Sequence, residues 1–149
     1  MPNQEDKLLA MRHSAEHVLT MAMERLYGSD EENNPIIVKA MGPAIADGFY
    51  FDFDLAASAV ARGLKITEKD FPKIEKEMRK LIQQGLLMEK IDVSMKVARQ
   101  IFANNVYKQE LLDGLANAHD FEVSESISDG KSMVKQQMLE HKANKLTLY

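Results

Sequence analysis

The stretch PIIVKAMGPAIADGFYFDFD, Pro35 to Asp54, decides what kind of fold this chain adopts. Two short runs rich in β-branched and aromatic residues flank a centre of Gly, Pro and Asp, which is the pattern of a hairpin. Its arms are Ile36–Ala40 and Phe49–Phe53, with Phe49, Phe51 and Phe53 on one face. Gly42-Pro43 and Asp47-Gly48 supply the turn chemistry, and turn capping accounts for Asp47, Asp52 and Asp54. The arms so drawn lie too far apart for a two-residue turn, so a shaped loop is expected between them.

Helical patterns lie on both sides of this hairpin. Before it, Leu8, Met11, Ala15, Val18, Leu19, Ala22 and Leu26 recur at three- and four-residue steps, predicting a helix over Gln4–Tyr27 with one apolar stripe. Gly28 and the polar run SDEENN end it. After the hairpin, residues 55–65 suit a short helix or a flap. ITEKDFPKIEKEMRKLIQQG is then strongly amphipathic, its stripe being Phe71, Ile74, Met78, Leu81 and Ile82. Thr67 or Asp70 can cap this helix, Pro72 near its start favours the later cap, and Gly85 stops it.

LLMEKIDVS reads as a strand, and MKVARQIFANN as a helix with Val97, Ile101 and Phe102 inward. VYKQELLDGL is a short helix, FEVSESI a strand, SMVKQQMLEHKAN a helix and KLTLY a final strand. The order predicts an α+β class, a two-layer antiparallel sheet with helices, forming a single domain over residues 1–149.

Composition bounds the function. The chain has 149 residues, 45% apolar and 28% charged, which suits one soluble globular domain. It has no cysteine, which excludes disulfides, thiolate catalysis and any Cys-based zinc site within these residues. The net charge of −4 gives no global basic field, so an RNA contact must come from a local patch, and DNA is not expected as a partner. Lys65, Lys69, Lys73 and Lys76 form such a segment, most simply a solvated helix face. No apolar run is long enough to span a bilayer and MPNQEDKLLA lacks a signal-peptide pattern, so a cytoplasmic protein without a membrane partner is expected.

The chemistry concentrates in RHSAEHVL, Arg12 to Leu19. His13 and His17, at i and i+4, project together from one helical face. On a helical wheel they point about 140–180° away from the Leu8/Ala15/Leu26 stripe, which puts them off the core-facing side. Two imidazoles so placed can ligate a divalent metal, or position and deprotonate a water near neutral pH. The plain alternative is two solvated histidines. HSAEH lacks the glutamate that follows the first histidine in the His-Glu-x-x-His protease motif, and Glu16 falls off the histidine face. His119, His141 and Lys108 are isolated, and exposure explains each.

Taken in order, RHSAEHVL, MGPAIADGFYFDFD and ITEKDFPKIEKEMRKLI resemble the second N-terminal, editing domain of bacterial threonyl-tRNA synthetases, which is related to the editing domains of alanyl-tRNA synthetases. The resemblance runs from about residue 8 to residue 108 and takes in ARQIFANN and the YK pair. It implies the fold of that domain and hydrolysis of mischarged seryl-tRNA(Thr), needed because one methyl group gives the synthetic site little discrimination against serine.

By position, His13 and His17 would activate and orient water, and Lys108 would stabilise charge near the ester. Gly48, Phe49, Tyr50 and Phe51 would wall the pocket, and the partner would be the 3′ acceptor end of tRNA(Thr). Met41 stands where the family has Ile, and Phe51 replaces the second Tyr of its Gly-Phe-Tyr-Tyr-Asp. The family's Cys-x-x-x-His element does not appear before Tyr149. The chain is therefore expected to be a piece cut short at its C-terminal end. It would lack the aminoacylation core with its ATP and magnesium, and the anticodon-binding domain, both belonging to a homodimeric parent that joins threonine to tRNA(Thr).

No metal is expected at two imidazoles alone; His13 and His17 would be the ligands of any zinc. The other readings are a non-catalytic module that binds the tRNA acceptor end and a zinc-dependent trans-editing protein of the alanine type.

Overall fold

A computed structural model of the chain describes residues 4–42, 44–45, 47–88, 91–116 and 145–148. They belong to two compact units, Met1–Leu86 and Leu87–Tyr149, each with its own apolar cluster. Helices and antiparallel strands mix in both, so the class is α+β. The strands pair as three separate two-stranded ladders.

The first unit opens with helix α1, Gln4–Tyr27. The residues it buries are Glu16, His17, Thr20, Ala22 and Met23. Leu8 and Met11 of the expected stripe are exposed, as is Leu9 between them. The later half of the stripe does pack inward, with Ala22 buried and Leu19 and Leu26 against the apolar cluster, while the hairpin lies against another side of the helix. The Arg12 guanidinium donates to the Ile45 carbonyl at 3.1 Å, and Glu16, Thr20 and Met23 follow Arg12 along that same side of the helix.

Strand β1, Ile37–Lys39, pairs with β4, Phe53–Leu55; nearer the tip β2, Ala44–Ile45, pairs with β3, Gly48–Phe49. Ile45 faces Gly48, so only two residues separate the arms, not the longer shaped loop expected. Room for this comes from a β-bulge. The Ala40 N–H donates to the Asp52 carbonyl at 2.9 Å and the Asp52 N–H donates to the Met41 carbonyl at 2.8 Å, placing two residues opposite one. Gly42 follows at a close crossing of the arms, where a Cβ would overlap the Tyr50 carbonyl and Phe51 Cα. It is a crossing residue and not a turn residue.

A short helix α2, Ala57–Ala61, leads through a 3-10 turn, Glu68–Asp70, into α3, Phe71–Gln83. Asp70 stands at the N-cap of α3, the later of the two expected positions, and Thr67 caps the 3-10 turn before it. The Thr67 backbone N–H donates to the Asp70 carboxylate at 2.8 Å and completes a capping box. With the cap at Asp70, Pro72 falls within the first turn of α3, where its missing N–H costs nothing. Ile74, Glu77 and Leu81 form the buried side of α3, while Phe71 and Ile82 are exposed. Glu77 is tolerated there because Lys80 and Arg25 reach its carboxylate at 3.0 and 3.4 Å. Gly85 ends the helix in the left-handed region, φ 58°. Met23, Ile37 and Ile74 make the core of this unit, ringed by Leu19, Leu26, Phe53, Leu55 and Met78.

In the second unit β5, Ile91–Ser94, runs into α4, Met95–Ile101, with the Ser94 hydroxyl accepting from the Val97 N–H at 3.3 Å. Helix α5, Val106–Ala116, is capped by the Asn105 side chain, which accepts from the Lys108 N–H at 3.1 Å. The Gln109 amide donates at 2.9 Å to the carbonyls of both Arg99 and Phe102, satisfying the open end of α4. Val93, Val97, Ala98, Phe102, Leu112 and Leu115 form the core. Strand β6, Lys145–Leu148, pairs antiparallel with β5. The expected strand FEVSESI and the helix SMVKQQMLEHKAN lie outside the described residues. No helix among the described residues is long and apolar enough to cross a membrane.

Candidate functional site

His13 and His17 are brought together as their spacing requires. Their Nε2 atoms lie 3.0 Å apart, and their ring centroids are 4.6 Å apart with planes tilted by 36°. The contact is a hydrogen bond only if one ring donates and the other accepts, so one proton lies between them. His17 is 3% exposed, and the His13 side chain retains 39%. His17 is therefore buried although it lies away from the apolar stripe, and the pair is not the solvated one of the plain alternative.

Sequence reasoning set Glu16 aside, and the structure brings it into the cluster. It is 3% exposed, with its carboxylate 3.9 Å from His13 Nε2. At i+3 from His13 it sits only about 60° off that residue on a helical wheel, and a side chain of its length spans the gap. The available signal was His-x-x-Glu-His, the reverse order of the His-Glu-x-x-His motif, which also joins a carboxylate to two imidazoles. The Thr20 hydroxyl donates to the His17 carbonyl at 2.9 Å one turn further on.

The donor atoms of His13, Glu16 and His17 all lie within 4.8 Å of one another. Two nitrogens and one carboxylate oxygen at that spacing could hold a divalent ion such as zinc, with a position left for water. The expectation of two imidazoles alone is corrected to that extent, since a third donor is present.

Of the hairpin residues, Gly48 and Phe49 form β3, which packs with β2 against α1. Phe51 stacks on Phe53 with centroids 4.8 Å apart, and Tyr50 is exposed. Both arms of the hairpin tip thus rest on the helix that carries the histidines. Lys108 belongs to the second unit, on α5, and is buried at 3% rather than exposed. A buried lysine is uncommon enough to mark the residue as more than a solubilising charge.

No family model matches the sequence. Individual relatives do. The chain is 39% identical over 102 residues to the threonine–tRNA ligase of Thermotoga petrophila, a match covering 68% of this chain and 14% of that protein. It is 38% identical over 112 residues to the threonine–tRNA ligase of Streptococcus suis, covering 75% of this chain and 15% of the relative. The enzyme of the same name from Thermotoga maritima is 38% identical over 102 residues. An α+β chain with a two-histidine helix under a hairpin is thus a domain related to the tRNA synthetases. Its matched part is homologous to one segment of the threonine–tRNA ligases and spans 14–15% of their length.

Proposed function

We propose that this chain carries the editing chemistry of a threonine–tRNA ligase, the hydrolysis of seryl-tRNA(Thr). The observation that carries the reading is the imidazole pair, 3.0 Å apart on a helix covered by the hairpin tip, in a chain homologous to part of those ligases. His13 and His17 orient a water and take its proton. The resulting hydroxide adds to the seryl carbonyl carbon, the ester bond to the ribose oxygen breaks, and that oxygen receives the proton back.

In this proposal Gly48, Phe49, Tyr50 and Phe51 wall the pocket for the 3′-terminal adenosine, and Lys108 stabilises charge at the ester. The chain takes the fold of the threonyl/alanyl editing type. The longer synthetase, acting as a cytoplasmic homodimer, would join threonine to tRNA(Thr) with ATP and magnesium bound outside these residues.

The test is deacylation of seryl-tRNA(Thr) against threonyl-tRNA(Thr). The serine ester should be hydrolysed preferentially, and His13→Ala or His17→Ala should lower the rate by about 10²-fold or more, as loss of a positioned acid–base group does. Equal, slow loss of both esters in wild type and variants would overturn the reading and leave a module that only binds the acceptor end.

The His13/Glu16/His17 donor set favours a second reading, zinc-dependent hydrolysis of the alanine type. Bound zinc would supply a Lewis acid that activates water. We favour the metal-free reading, under which hydrolysis is unchanged by chelator and the purified chain carries less than one equivalent of zinc. Chelator-sensitive activity restored by zinc selects the other.

A further inference from the structure

We propose that the exposed lysines of α3 form a docking track for the backbone of an RNA duplex, the stem that stands behind the 3′ end. That the partner is RNA rests on the editing reading above. Lys73, Lys76 and Lys80 recur at three- and four-residue steps within α3, and Lys69 stands four residues earlier, in the 3-10 turn. On a helical wheel the three within α3 fall inside about 60°. With Lys69 they extend over roughly 16 Å, at about 1.5 Å per residue. All four are exposed, while Lys65 lies ahead of the turn and off the helix.

The carboxylates between these lysines are engaged by the fold. Asp70 accepts from the Thr67 backbone N–H and from the Tyr27 hydroxyl. Glu77 is buried, with Lys80 and Arg25 on its oxygens at 3.0 and 3.4 Å. Glu75 lies at least about 100° from the three lysines on the wheel and pairs with Arg79 at 2.6 Å. Glu68 is the remaining acid, set against four lysines. Lys69 and Lys76 form no ion pair with any described residue. The segment thus keeps its negative charge inside and turns positive charge outward. A chain of net charge −4 offers a polyanion no general attraction, so a local track of this kind is what an RNA contact requires.

The ammonium groups of lysine are point charges, which meet phosphates without reading bases. The track also lacks a platform for unpaired bases. Phe71 falls at least about 140° from the three lysines, and the Tyr27 ring is covered by Lys73, whose Nζ stands 4.9 Å from its centroid. Without stacking, the edge of a duplex suits this face better than a single strand does. The track has a direction as well. Tyr27 meets Asp70 at the start of α3, and Arg25 meets Gln84 just past its end, so α3 runs back along α1 toward the half that carries His13 and His17. A duplex lying on the lysines is led toward the histidine pair, where the editing reading puts the ester.

The experiment measures binding of the whole chain to a blunt RNA duplex by fluorescence anisotropy, from about 50 to about 200 mM salt. Lys69→Gln/Lys76→Gln should weaken binding at least about tenfold at roughly 100 mM salt. It should also lower the slope of log Kd against log salt by about 2, one for each lost phosphate contact. Lys7→Gln/Lys96→Gln removes the same charge at exposed sites off α3 and should leave Kd within about threefold. Lys69→Arg/Lys76→Arg keeps the charge and should bind as the wild type does, which separates lost charge from a damaged fold.

Equal losses in the two glutamine doubles, no duplex binding by the wild type, or an arginine double as weak as its glutamine counterpart would each overturn the proposal. A preference above about tenfold between duplexes of unrelated sequence would do so too, since backbone contacts carry no sequence information. Phosphatidylserine vesicles supply the competing polyanion. Vesicle binding that needs Lys69 and Lys76, without duplex binding, would reassign the face to a membrane surface. On seryl-tRNA(Thr), Lys69→Gln/Lys76→Gln should lower kcat/KM at least about fivefold through KM, because the track binds and does not touch the ester. A wild type that binds the duplex through these lysines but hydrolyses no ester would sink the editing reading alone and leave the track standing.

Discussion

Gly42 is the residue whose side chain the fold can least accommodate in the hairpin. A methyl group there meets backbone of the opposite arm, which cannot swing aside as a side chain would. Gly42→Ala should therefore cost about 1–3 kcal/mol, read as a lower urea midpoint. Gly114, in the last turns of α5, has nothing within 4 Å of an added Cβ. Gly114→Ala should raise the midpoint by about 0.5–1 kcal/mol through helix propensity. A Gly114 variant that destabilises by as much as Gly42→Ala would show that local space is not what separates them. At this scale the histidine pair was legible, because i,i+4 spacing on a helix fixes it without tertiary information. Glu16 was not, because its recruitment depends on reach and burial, and a helical wheel shows only direction.

Among elements, the helices were the readable part. Gln4–Tyr27 runs as the spacing predicts, α3 and α4 fall within their expected segments, and α5 runs one residue past its own. Which face each helix buries was less legible, since the partner decides it. Leu81 and Ile82 look alike in sequence, but Leu81 is buried and Ile82 is 64% exposed. Leu81→Ala should thus cost about 2–5 kcal/mol and Ile82→Ala less than about 1 kcal/mol, measured by denaturant unfolding.

The capping box in front of α3 shows the same dependence on context. Thr67→Ala removes a hydroxyl 3.2 Å from the Asp70 carboxylate and should cost about 1 kcal/mol. A loss indistinguishable from zero would assign the start of α3 to Pro72 alone. The hairpin was legible in position but not in register, because the bulge at Ala40–Met41 shifts the pairing by one residue and no local signal counts it.

At the scale of a whole folded unit, carboxylates tie Met1–Leu86 together and make it sensitive to acid. Asp30 accepts the Asn34 backbone N–H and pairs with Arg62, and its carboxyl is held down at about 2 against desolvation. Asp70 is lowered chiefly by the Thr67 backbone N–H, and Glu77 by Lys80 with Arg25 behind it. Each folded value lies below the unfolded one. The stability they contribute is therefore full above the ordinary carboxylate range and lost as pH falls through the folded values. For Asp30 that window runs from 3.8 to about 2. The urea midpoint should be flat from pH about 7 to 5 and fall steeply below about 4, and a flat profile down to pH about 2 would rule these ties out as contributors.

One further consequence concerns heredity more than folding. Helix α1 exposes leucine and methionine in its first half and buries glutamate, histidine and threonine in its second. Tolerance to mutation along it should follow burial and not hydrophobicity, since Ala22 and Met23 are buried beside these polar residues. Polar replacements at Leu9 and Met11 would pass unnoticed by selection, while small, chemically mild changes at Glu16 or Thr20 would be purged. Ranking variants at Leu9, Met11, Glu16 and Thr20 by hydrophobicity alone would misplace them.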